Sequence, residues 1–70
     1  MEKNERERLS ILIDHWIHHN QEHIAQYLSW AQKMEEADLK DVADRLKKAS
    51  DLISQANREF SAARGALAGA

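Results

Sequence analysis

Residues 39–67 read LKDVADRLKKASDLISQANREFSAARGAL. Leu39, Val42, Leu46, Ala49, Ile53, Ala56, Phe60, Ala63 and Leu67 recur there in alternating steps of three and four residues. A repeat near 3.5 residues is the mark of a left-handed helical seam, in which one stripe of a helix stays against a neighbour. No proline interrupts the stretch, or any other part of the chain, and both glycines, Gly65 and Gly69, lie near the end of the sequence. Strand-like alternation of useful length is absent. The sequence predicts an all-α fold.

Working outward toward the N-terminus, the pattern breaks around Glu36, Ala37 and Asp38. Asp38 suits an N-cap, with Asp41 three residues later in the first turn, and Lys33 suits the negative end of the preceding helix. Ala37 stands where glycine would ordinarily close a helix. Before this break, Leu9, Ile13, Trp16, Asn20, His23, Tyr27, Trp30 and Met34 follow the same three-four spacing. Asn4, with Glu7 three residues on, forms a capping-box pattern that starts the helix. The expectation is an antiparallel two-helix hairpin spanning about 4–36 and 38–67, each helix about 45 Å long at 1.5 Å per residue.

The first helix carries more apolar surface than one neighbour can cover. Ile17, Ile24, Leu28 and Ala31 lie beside its seam and widen the apolar arc to roughly 160°. In 70 residues a single core barely offsets the entropy of ordering the chain, so small domains of this kind use disulfides, metals or association. Cysteine is absent, which excludes disulfides and thiolate ligands. The sequence therefore predicts one domain, residues 1–70, that forms a homodimeric four-helix bundle with the first helices at its centre.

All four histidines fall in residues 15–23, His-Trp-Ile-His-His-Asn-Gln-Glu-His. His15 with His19, His19 with His23, and His18 with Glu22 are each four apart, hence on a common helix face. Two imidazoles so placed can share one transition-metal ion. One helix provides two or three ligands and a closed zinc site wants four, so a two-fold partner is a natural source of the rest. The ligand set expected is His15, His19 and His23, with Glu22 as an outer candidate. Imidazole suits zinc or nickel among other ions, and the spacing does not choose.

A competing expectation places His23 and Asn20 in the seam as a polar layer that fixes register without any ligand. A turn near residue 37 sets Asn20 near Asn57 and His23 near Ile53, with Ser50, Ser54 and Asn57 as polar partners. A histidine buried there in neutral form would lose stability as pH falls through the unfolded histidine range. His18 falls on the far, solvated face.

Other classes of function find little support. Net charge is −2, with 10 basic and 12 acidic residues intermingled, so the basic stripe of a nucleic-acid binder is missing. No apolar run approaches the roughly 20 residues of a membrane span, and no signal-peptide pattern is visible, so a cytoplasmic setting is expected. Ser10, Asp14 and His18 share a helix face, but two helices offer neither a pocket nor an oxyanion hole, and no enzymatic activity is expected. Glu-x-x-His pairs of a di-iron bundle are absent.

The histidine segment resembles an uncharacterised prokaryotic helical-hairpin domain with a His-Trp-x-x-His-Asn-x-x-His signature. The matching residues are His15, Trp16, His18 or His19, Asn20 and His23, and more loosely Glu35 to Leu46. The resemblance implies a hairpin associated with small metal-handling proteins, with nickel or zinc as the ligand. Two functions follow as expectations: a non-enzymatic self-associating module with a metal-binding histidine patch, or a structural adaptor that recruits another protein.

Overall fold

The computed structural model describes residues 3–70. It is built of two α-helices, α1 (Lys3–Glu36) and α2 (Lys40–Gly69), lying antiparallel as a hairpin 53 Å long and 14 by 11 Å across. Among the described residues there is no strand. α1 is already helical at Lys3, so Asn4 sits within the helix and not at its cap.

The turn departs from the capping expected of Asp38. Asp38 ends α1 in the left-handed region, at φ 62°. Its amide bonds to the Glu35 carbonyl at 3.0 Å, and the Leu39 amide reaches back to Met34 at 2.8 Å. This pair of bonds is a Schellman motif, in which a glycine-like conformation lets two following amides satisfy the orphan carbonyls of the last turn. Asp38 takes the place of glycine because a short polar side chain tolerates that region better than most. The N-cap of α2 is then Leu39, which has no side chain able to cap.

The helices meet along stripes rotated by about one residue from those the periodicity suggested. On α1 the half-buried and buried positions among the described residues are Arg6, Leu9, Ser10, Ile13, Ile17, Asn20, Ile24, Tyr27, Ala31 and Met34. Trp16, His23 and Trp30, expected in the seam, are exposed, Trp16 by 39% and Trp30 by 54%. On α2 the fully buried positions are Ala43 and Ser50, while Val42 and Ala63 face outward. The shared positions, 13, 20, 27 and 34 with 46, 53, 60 and 67, belong to either stripe, so the period was legible and its phase was not.

Volume explains the phase. Ala31, Ala43 and Ser50 are small enough to let the two backbones approach, and the branched Ile13, Ile17 and Ile24 fill the seam beside them. Indole rings placed between the helices would hold them apart. The Ser50 hydroxyl turns back to the Leu46 carbonyl at 3.2 Å, the local bond that satisfies a buried serine within its own helix. It is therefore not the partner of His23 that the sequence suggested.

Candidate functional site

The hairpin has two unlike faces. Residues that follow the shared seam positions, Asp14 and Glu35 on α1 and Lys47 on α2, lie on one side. There Lys47 pairs with Glu35, and the seam residue Arg64 reaches Asp14. The Lys47 ammonium is held above its ordinary pKa, first by the hydrogen bond to Glu35 and against a small desolvation effect. Residues that precede the buried positions lie on the opposite side, because antiparallel pairing brings these flanking rows together. That second face carries Trp16, His23 and Trp30 from α1 with Val42, Ala49, Ala56 and Ala63 from α2.

At the centre of the second face the histidines stack in a ladder along α1. The ring centres of His15 and His19 are 4.8 Å apart, His19 and His23 6.0 Å, and His23 and Tyr27 5.9 Å with nearly parallel planes. Trp16 leans on Phe60 of α2, ring centres 5.7 Å apart. A shallow groove of about 430 Å³ runs between them, lined by His15, Trp16, His19, Asn20, His23 and Phe60. His15, His19 and His23 are all exposed, so the burial on which the expected acid sensitivity of His23 depended is absent.

The polar layer does form, with one expected member. Asn20 donates to the side-chain oxygen of Asn57 at 2.9 Å, and the Asn57 amide donates to the Ile17 carbonyl at 3.2 Å. Asn57 thus uses donor and acceptor together, which ties the two helices at one register. His23 stands outside this layer. His18 lies on the solvated side, 3.1 Å from Glu22. Of the Ser10, Asp14 and His18 set, Asp14 pairs with Arg64 and His18 with Glu22.

The geometry can be set against what a metal requires. With metal–nitrogen bonds of about 2.0–2.1 Å and tetrahedral angles, two imidazoles on one zinc ion place their ring centres roughly 5 Å apart. The 4.8 Å of His15 and His19 meets that spacing, and the 6.0 Å of His19 and His23 lies a side-chain rotation away. Among the described residues of one chain, however, no three His, Cys, Asp or Glu side chains group around a common point. A single hairpin presents pairs of ligands and not a closed site.

Phe60, read as a seam residue, also lines the histidine groove. The Asp14–Arg64 and Glu35–Lys47 pairs were missed from sequence. Their signal is visible once the phase is known, since all four charged residues then fall on or beside the seam and away from the aromatic rows. No helix of the described residues is long and apolar enough to cross a membrane.

A two-helix hairpin with one charged and one aromatic face defines the class, a small helical module. The family model described as a domain of unknown function, DUF8180, matches residues 9–67, and the chain belongs to that family. No curated protein and no solved structure gives a significant match.

Proposed function

We propose that this protein is a non-enzymatic helical module that associates with a second copy of itself and uses its histidine row to bind a divalent transition metal, nickel or zinc. The observation that carries the reading is the imbalance between inside and outside. Among the described residues the fully buried apolar side chains are Ile13, Ala31 and Ala43, while Ile11, Leu12, Trp16, Leu28, Trp30, Leu39, Val42 and Leu52 are large apolar side chains left exposed. Three small-to-medium side chains cannot offset the ordering of a chain this size. The half-buried seam of a single hairpin adds to these, but the exposed apolar row favours a partner that covers it, and a second copy is always present and stoichiometric. The broad face, 53 by 14 Å, covers roughly 700 Å², near the 800 Å² or so that each partner buries in a standard interface. Joining two such faces gives a four-helix bundle in which the two α1 helices meet, set in the cytoplasm. His15, His19 and His23 are the ligands in this reading, and the resemblance to an uncharacterised hairpin domain associated with small metal-handling proteins points the same way.

Sedimentation at micromolar concentration tests the first half, and thermal melts with EDTA or with added nickel or zinc test the second. A dimer whose Tm rises with metal is expected. An ion specific for the folded state, at 100 times its dissociation constant, adds about 2.7 kcal/mol. A folded monomer overturns self-association. A dimer indifferent to metal overturns the metal site and leaves the adaptor reading, in which the same face recruits another protein.

A further inference from the structure

The aromatic face has an internal symmetry that fixes how two copies meet. The hydrogen bond between Asn20 and Asn57 makes these residues level across the hairpin, so one step further residue 21 of α1 is level with residue 56 of α2. Residue 21 is the midpoint of His19 and His23. Residue 56 is the midpoint of the three alanines Ala49, Ala56 and Ala63, half-buried or exposed, that continue the row beginning at Val42. Two independent patterns, one on each helix, are thus centred at the same height. Leu12 and Trp30, both exposed, are also equidistant from residue 21.

We infer that a second copy packs antiparallel on this face about a two-fold axis level with Gln21 and Ala56, so that His19 and His23 of both copies enclose one divalent transition-metal ion. The inference rests on the self-association and metal binding proposed above, narrows the ligands from the row of three to His19 and His23, and adds the axis. An axis lying in the face and perpendicular to the helices sets α1 against α1 and α2 against α2, each pair antiparallel. Leu12 then meets Trp30 of the second copy, twice, on either side of the histidines. Ala49 meets Ala63 of the second copy and Ala56 meets its own equivalent. The small residues let the α2 pair close while the larger α1 side chains interdigitate.

At the centre, His19 of each copy faces His23 of the other. Four imidazoles complete the tetrahedral set that one chain lacks. A slight rotation of the exposed His19 and His23 rings closes their 6.0 Å separation to the roughly 5 Å that a shared ion needs. Tyr27, stacked on His23 at 5.9 Å, steadies that ring. His15 lies outside the four.

The test measures the dimer dissociation constant by sedimentation in EDTA and in zinc chloride or nickel chloride, for the wild type and three variants. Metal at 100 times its dissociation constant should tighten the wild-type dimer about 100-fold, with one ion bound per two chains. His19→Ala and His23→Ala should each abolish the tightening while dimerising in EDTA, and His15→Ala should retain it. One ion per chain, or a tightening lost with His15→Ala and kept with His23→Ala, overturns the ligand set while leaving metal binding intact. Because the chain has no cysteine, the axis is tested separately by oxidation. Ala56→Cys should form a covalent dimer with its own equivalent, and Ser61→Cys, on the charged side, should not. The reverse pattern overturns the axis whatever the metal does.

Discussion

Asp38 holds a backbone conformation, φ 62°, that costs an L-residue energy glycine does not spend. Asp38→Gly should therefore raise stability, by about 0.5–1 kcal/mol after the extra chain entropy of glycine is counted, measured by urea denaturation. An equal loss would mean that the Asp38 side chain contributes something the backbone bonds do not reveal. The Asn57 amide group is the other residue with a defined role. Asn57→Ala strands the Asn20 amide in a half-buried site and removes the second bond to the Ile17 carbonyl, at an expected cost of about 1–3 kcal/mol. Asn20 and Asn57 were legible together in the sequence because a turn near residue 37 sets them at one height. The left-handed Asp38 was not, since aspartate is a good N-cap as well as a tolerable C-terminal turn residue, and only the bonds to Glu35 and Met34 decide between the two.

At the level of the helices, the open question in the sequence was phase. Trp16, His23 and Trp30 share one three-four pattern with Ile13 and Tyr27, while Ile17, Ile24 and Ala31 share another with the same residues. Both patterns are apolar enough to be a seam, and an arc of roughly 160° contains them both. The choice falls to what faces them, the small Ala43 and Ser50 of α2. Ile24→Ala should accordingly cost about 2 kcal/mol, near the low end for a branched residue because the site is half-buried. A loss below 0.5 kcal/mol would return the seam to His23. The charged side offers a second check. Lys47, raised by Glu35, contributes stability that is complete below the unfolded lysine value and is lost as pH rises through the higher folded one. The advantage of the wild type over Glu35→Gln should therefore persist at neutral pH, shrink as pH rises past 10.5, and weaken with salt, as exposed pairs do.

For the molecule as a whole, a rod with one aromatic face should show stability that depends on its own concentration. The Tm is expected to climb between micromolar and hundred-micromolar protein, and Trp30→Ser should flatten that climb while leaving the helical circular dichroism unchanged at high concentration. A Tm independent of concentration would place the stabilising contacts within the single hairpin. The sequence by itself determined that the chain is two helices joined by a short turn, that their period is near 3.5 residues, that Asn20 and Asn57 are level, and that His15, His19 and His23 run along one side of α1. These follow from local propensity and spacing, which a linear string contains in full. Only the tertiary structure decided which side that is. Phase depends on the volumes two helices present to each other, and that comparison has no counterpart in either helix alone. It moved His23 from the seam to the open face that also carries Trp16 and Trp30.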